Sequence, residues 1–72
     1  MLQGVMTMQD YKEAIRAKRG QLQLSQRQLA KMIDVSQPFI NEIESGRKKP
    51  SLDVLYQICE ALQLEIVFQD AE

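Results

Sequence analysis

The stretch DVSQPFINEIESGRKKP, Asp34 to Pro50, holds amides and a carboxylate on a short helical pattern, followed at once by three cations. At about 100° per residue, with Ile40 and Ile43 turned inward, Pro38, Asn41, Glu42 and Ser45 face outward and Gln37 stands at the exposed N-terminal end. An amide offers a donor beside an acceptor, which pairs with the adenine edge in a major groove. A carboxylate accepts from cytosine N4, and an apolar ring touches a thymine methyl. Gln37, Pro38, Asn41 and Glu42 are therefore candidate base readers, Gln37 first among them. Plainer readings stand beside these. Gln37 is also an ordinary first-turn polar residue, Pro38 an ordinary helix start, and Asn41 an ordinary solvated side chain. The charge of Glu42 opposes phosphates, which makes it a specificity element if it contacts anything. Phe39 lies at the border of the buried arc and suits core or rim packing better than base contact.

Contacts to a phosphate backbone position a protein without reading sequence, and they come from helix ends and basic residues. Gln26, Arg27, Ser36, Ser45, Arg47, Lys48 and Lys49 are the candidates, each with plain solvated surface as its alternative. Other chemistries find little support. The 72 residues contain no histidine and one cysteine, Cys59, so an internal disulfide and a structural zinc site are excluded. No nucleophile and base pair, phosphate-binding glycine loop or supported carboxylate dyad is present. The expectation is a binding protein, not an enzyme, with no cofactor and no metal.

Charge is unevenly spread along a chain whose net charge is −1. Between residues 11 and 49 nine Lys or Arg stand against Glu13, Asp34, Glu42 and Glu44, a balance of +5, whereas residues 50–72 carry five acids and no base. Such a split suits a molecule with one face toward a polyanion and another away from it. No stretch reads as a signal peptide or a bilayer span, so a cytoplasmic protein is expected.

These residues need a scaffold, and a chain this short has room for one domain over 1–72 with a thin core. Residues 1–7 show no clear period and read as a loose arm, with Thr7 and Asp10 in a capping arrangement. A first helix over about 8–21 turns Tyr11, Ala14, Ile15 and Leu22 inward. Ser25 caps a second, with Leu29, Ala30 and Ile33 on one side. Asp34 and Val35 form a tight corner of the kind that needs a left-handed residue, which Asp tolerates less easily than Gly. Ser36 caps the third helix, Pro38 falls in its first turn, and Gly46 stops it. Pro50 and Ser51 open a fourth, and the runs Leu29 to Ile33 and Leu52 to Leu62 read as core, Cys59 among them as a small apolar filler. Then LEIVFQ alternates in the manner of a strand over 64–69. A lone strand needs a partner, and the same segment of a second chain, through Leu64, Ile66, Val67 and Phe68, would close a two-fold pair. A fifth helix or a tail packed on its own core is the alternative.

Residues Leu24 to Leu64 resemble the Xre/Cro-type helix-turn-helix repressors. The likeness lies in Leu24-Ser25-Gln26 before Leu29-Ala30, Val35-Ser36-Gln37, Ile40, Ile43-Glu44 with Gly46, and Pro50-Ser51-Leu52, while Ile15, Arg16 and Arg19 fit the end of the family's first helix. The resemblance implies a mainly α, four- to five-helix lambda-repressor-like domain that binds a pseudo-palindromic duplex site as a dimer. It also implies a structural salt bridge between Arg19 and Glu44. Two positions depart from the pattern: Asp34 stands at the corner and Gln23 at the end of helix one, where the family usually has Gly. The tail ALQLEIVFQDAE is similar to the C-terminal strand of HipB-like antitoxins, dimeric repressors that also bind a toxin kinase. Two functions follow. One is a sequence-specific transcriptional repressor of its own operon. The other is a protein-binding module or antitoxin that holds a partner against acidic residues 50–72.

Overall fold

The computed structural model describes residues 4–7 and 11–67. In chain order these form β1 (Gly4–Thr7), α1 (Tyr11–Gln21), α2 (Gln26–Met32), α3 (Gln37–Ser45), α4 (Leu52–Leu62) and β2 (Leu64–Val67). The four helices enclose one core in which Ile15, Leu29, Ile40, Ile43, Leu55, Ile58 and Leu62 are fully buried. Each helix contributes the apolar face that its period lays out, so the mainly α architecture follows from spacing alone. Among the described residues no helix is long and apolar enough to cross a membrane.

Helix starts are set by hydroxyls. Ser25 accepts the Gln28 amide at 3.0 Å while the Gln28 side chain accepts the Ser25 amide at 2.8 Å, a reciprocal capping box. Ser36 accepts from Phe39 N–H and Ser51 from Val54 N–H, so α3 and α4 begin in the same way. Pro38 sits in the first turn of α3, where no intrahelical amide is required of it. The helix start survives the bias that proline places on Gln37.

Helix ends are set by left-handed residues, and only one of the four is glycine. Gly46 closes α3 at φ 85°, whereas Gln23 (φ 59°), Asp34 (φ 62°) and Gln63 (φ 61°) adopt the same region with a Cβ in place. Gln23 and Asp34, which stand where the resemblance would place Gly, therefore hold a left-handed backbone and bear the strain that glycine avoids. Asp34 turns the corner between α2 and α3, with Val35 N–H reaching Ala30 O at 3.0 Å.

Three sequence expectations are corrected. Gly4–Thr7, expected as a loose arm, is a strand that runs parallel to β2 in the register Gly4↔Leu64, Val5↔Glu65, Met6↔Ile66 and Thr7↔Val67. Its own sequence carries little strand signal, and pairing with the stronger β2 pattern decides its conformation. The strand partner of β2 is thus found within the chain. Met32 and Leu52, placed in the core runs, are 55% and 46% exposed. Met32 falls off the arc shared by Leu29, Ala30 and Ile33, and Leu52 is the first residue of α4, beyond the reach of the packed turns. The start of the first helix before Tyr11, Asp10, and Phe68 with Gln69 lie outside the described residues.

Cys59 is buried, as expected of a filler, and burial pushes its thiol up to about 11 from the usual 9.0. Replacing Gln23, Asp34 or Gln63 singly by Gly removes a Cβ penalty of about 1–2 kcal/mol and adds unfolded-state entropy of about 0.5–1 kcal/mol. Each variant is expected to gain about 0.5–1 kcal/mol in urea unfolding; equal or lower stability at all three positions would show that the side chains make up for the strain.

Candidate nucleic-acid interface

The outward face of α3 is held from below by an ion pair. Glu44 is 3% exposed, on the last turn of α3, and its carboxylate takes Arg19 Nε at 2.8 Å and Nη2 at 3.0 Å. This is the two-pronged geometry that suits a guanidinium best. The remaining Arg19 prong, Nη1, donates to Leu24 O at 2.9 Å, tying the α1–α2 loop to the same centre. Arg16, three residues earlier on α1, donates to the Glu44 carbonyl at 3.3 Å. The pairing that the family resemblance implied between Arg19 and Glu44 is present.

A third donor completes the buried carboxylate. Gln26 Nε2 reaches Glu44 Oε1 at 3.0 Å, and this contact fixes the amide's orientation, since an ionised carboxylate only accepts. Gln26 Oε1 is then turned toward α3, where it accepts from Gln37 Nε2 at 2.7 Å and from Asn41 Nδ2 at 3.4 Å. Asn41 Oδ1 in turn accepts from Arg47 Nη2 at 3.0 Å. A continuous polar path leads from Arg19 through Glu44 and Gln26 to Gln37, Asn41 and Arg47.

The structure brings most of the candidate residues onto this face and gives several of them partners. Gln37 is half-buried and Asn41 and Pro38 are exposed, the Pro38 side chain being an apolar ring in the first turn of α3. Glu42 Oε1 lies 3.5 Å from Lys48 Nζ, and that ammonium also sits 5.8 Å above the Phe39 ring. Lys48 therefore offsets the charge of Glu42 and covers Phe39, which is half-buried at the edge of the core. Ser36 uses its oxygen as the α3 cap, and Ser45 gives its hydroxyl proton to Glu42 O at 3.1 Å. Arg27, Arg47 and Lys49 are exposed, and Gln26, a candidate phosphate contact, is the hub of the network.

Sequence reasoning left Lys12 as generic charge and gave Arg16 only a framework place at the end of the first helix, and both make contacts with the end of α3. Arg16 grips the C-terminal turn of α3, and Lys12 lies against Gly46, where a Cβ would meet its Nζ at 3.1 Å. The signal was there: Lys12, Arg16 and Arg19 recur at intervals of four and three along α1, one face of a helix. Among the described residues no cluster of His, Cys, Asp or Glu is arranged to hold a metal.

The family model for Helix-turn-helix proteins matches residues 15–69, the span from the middle of α1 through β2. The chain belongs to the helix-turn-helix family. Two curated relatives, from two strains of Mycobacterium tuberculosis and each described as an uncharacterized HTH-type transcriptional regulator, are 46% identical over 50 residues. The match takes in 69% of this chain but 36% of each relative, so the chain spans about a third of the length of the proteins it resembles. The matched span includes α2 and α3, the two consecutive helices joined by the Asp34 corner.

Removing one partner of a buried ion pair leaves the other without compensation, which costs about 3–5 kcal/mol. Glu44→Ala is expected to lose stability on that order in thermal or urea unfolding, with Arg19 and Gln26 both left lacking an acceptor. A variant that melts like the parent would contradict a structural role for this pair.

Proposed function

We propose that the chain is a sequence-specific double-stranded DNA-binding transcriptional regulator, a dimeric repressor that acts in the cytoplasm on operators including that of its own operon. The supporting observation is the orientation of the Gln37 amide at the head of α3. With one Nε2 proton committed to Gln26, its Oε1 and second proton make no further side-chain hydrogen bond among the described residues and are left as the acceptor and donor that pair with adenine N6 and N7. Asn41 presents a second amide one turn along, Pro38 an apolar surface for a thymine methyl, and Glu42 an acceptor for cytosine N4. Phosphates flank this face, met by Gln26 and Arg27 at the start of α2, by Ser36 and Ser45, and by Arg47, Lys48 and Lys49 beyond Gly46. The relatives described as transcriptional regulators support the same reading.

Dimerisation would run through β2. A parallel pair of four-residue strands is a marginal sheet, and its outer edge can accept another strand. The same edge of a second copy supplies it, with Leu64, Ile66, Val67 and Phe68 along the seam, and the two recognition helices then lie about 34 Å apart on a pseudo-palindromic site.

The second reading, a protein-binding module that holds a toxin or another partner, has its own support on α4. Tyr56 is half exposed beside a groove shared with Glu60, Leu64 and Glu65, an apolar and acidic surface on the chain's acidic part. Both roles fit one molecule.

Selection from a random duplex pool should recover a site with two half-sites about one helical turn apart. Gln37→Ala should cost about 1–3 kcal/mol on that site and relax preference at one base pair per half-site. Binding that enriches no sequence, or that ignores salt, would sink the reading. Sedimentation equilibrium is expected to return twice the 8.3 kDa chain mass, and a monomer at every concentration would remove the β2 seam.

A further inference from the structure

We infer that Lys48 is a positioning residue for base preference: its ammonium, held over the Phe39 ring, sets the Glu42 carboxylate for its part as an acceptor from cytosine N4. This rests on the DNA-binding reading above and deepens it, and it stands beside any phosphate that Lys48 also meets.

The hold begins in the backbone. Gly46 takes a φ of 85° and folds the chain back on the end of α3, so that Arg47 N–H and Lys48 N–H both donate to the Glu42 carbonyl, at 3.0 and 3.2 Å. Ser45 gives its hydroxyl proton to the same oxygen at 3.1 Å. Lys48 is thereby fixed next to Glu42, although the helix end lies between them in the chain. From that origin its ammonium reaches Glu42 Oε1 at 3.5 Å and lies 5.8 Å from the centre of the Phe39 ring. A cation within about 6 Å of an aromatic face is attracted by the ring's quadrupole. Phe39 is itself packed against the core, which gives the ammonium a fixed seat. A lysine that wandered in solvent would impose no direction on its partner. The neighbouring cation is committed elsewhere, since Arg47 Nη2 donates to Asn41 Oδ1 at 3.0 Å.

Charge and geometry both call for such a residue. A bare carboxylate on a face that meets phosphates is repelled by every sequence alike, and an untethered glutamate spreads its acceptors over several rotamers. Lys48 counters the repulsion and selects one arrangement, in which Oε1 is paired and Oε2 is the oxygen left for a base. As a partly exposed pair the two side chains add little to folding stability. Docking in a groove displaces the water around them, and their attraction strengthens as the surroundings become less polar.

The competing role for Lys48 is a phosphate contact alone, whose loss weakens binding to every duplex equally. Lys48→Met keeps the stem over Phe39 and removes the charge, while Glu42→Gln removes the carboxylate. Each variant and the double variant are titrated by fluorescence anisotropy against the pool-selected site and against duplexes altered at one base pair of each half-site in turn. A salt series and thermal melting run alongside. Ratios between duplexes measured on one protein sample do not depend on the fraction folded. Lys48→Met is expected to lower discrimination about 3- to 10-fold at the base pair that Glu42→Gln also relaxes, a share of the roughly 5- to 150-fold that a well-made base contact supplies. Discrimination at the other positions and the melting temperature are expected to stay as in the parent, and in the Glu42→Gln background Lys48→Met is expected to change no ratio. Equal proportional losses on every duplex with a shallower salt slope would make Lys48 a phosphate contact only, and would overturn the inference while leaving DNA binding intact. Unchanged discrimination, a change at another base pair, a loss that persists in the Glu42→Gln background, or a Glu42→Gln variant that relaxes no position would overturn it too. A parent protein that binds no duplex would overturn the DNA-binding reading along with it.

Discussion

The architecture of the outward face depends on one buried charge. Glu44 lies almost fully out of water on the last turn of α3, and a carboxylate in that position must be matched by donors or its lost hydration goes uncompensated. Arg19 supplies two of those donors from α1 and Gln26 supplies the third from the first turn of α2. One group therefore holds three helices at a common point, in directions that apolar contacts alone would not enforce. Buried ion pairs contribute modest net stability compared with apolar packing, since each charge gives up its hydration. Their geometric demand is strict, and here the demand falls on the helix that carries the outward amides.

The corners tell a complementary story about what the backbone tolerates. Asp34 and Gln23 stand where glycine would be unstrained, yet both keep left-handed φ, and the helices on either side keep their length and caps. The core decides the matter. Leu29 and Ala30 on one side of the Asp34 corner and Ile40 and Ile43 on the other are buried together, and a corner that relaxed would pull them apart. Burial of a large aliphatic side chain is worth about 1.5–3 kcal/mol, against about 1–2 kcal/mol for one strained residue. Tertiary packing wins over local preference.

Much of this was legible in the chain. Periodicity gave four helices, hydroxyls marked three of their starts, and Asp34 announced its left-handed turn. What stayed hidden was long-range or weakly coded. The strand over Gly4–Thr7 has no pattern of its own and exists because β2, some sixty residues later, offers an edge. No local window contains that fact. Met32 and Leu52 were read inward because each belongs to an apolar run, and only the position of the neighbouring helices shows that the run wraps past the contact. The amide network was hidden in another way: Gln26, Gln37 and Asn41 are each ordinary polar residues, and their shared hydrogen bonds require the angle between α2 and α3. Site residues were found by type and exposure, whereas their mutual orientation belongs to the fold.

That orientation bears on how a sequence preference can arise at all. A glutamine amide is nearly symmetric in shape, and rotating it by half a turn exchanges donor for acceptor. In Gln26 the exchange would set an amide oxygen against the buried Glu44 carboxylate, two acceptors with no proton between them, and the low polarity of the surroundings would magnify the repulsion. Gln26 is thereby fixed, its oxygen points to α3, and that oxygen in turn fixes which end of the Gln37 amide faces out. On the DNA-binding reading proposed above, the donor and acceptor pattern offered to a base is settled two hydrogen bonds away, by a charge that never touches the nucleic acid. Apolar packing could place α3 at the right distance from a groove, but only a polar network with a defined polarity can decide which way round its amides are presented.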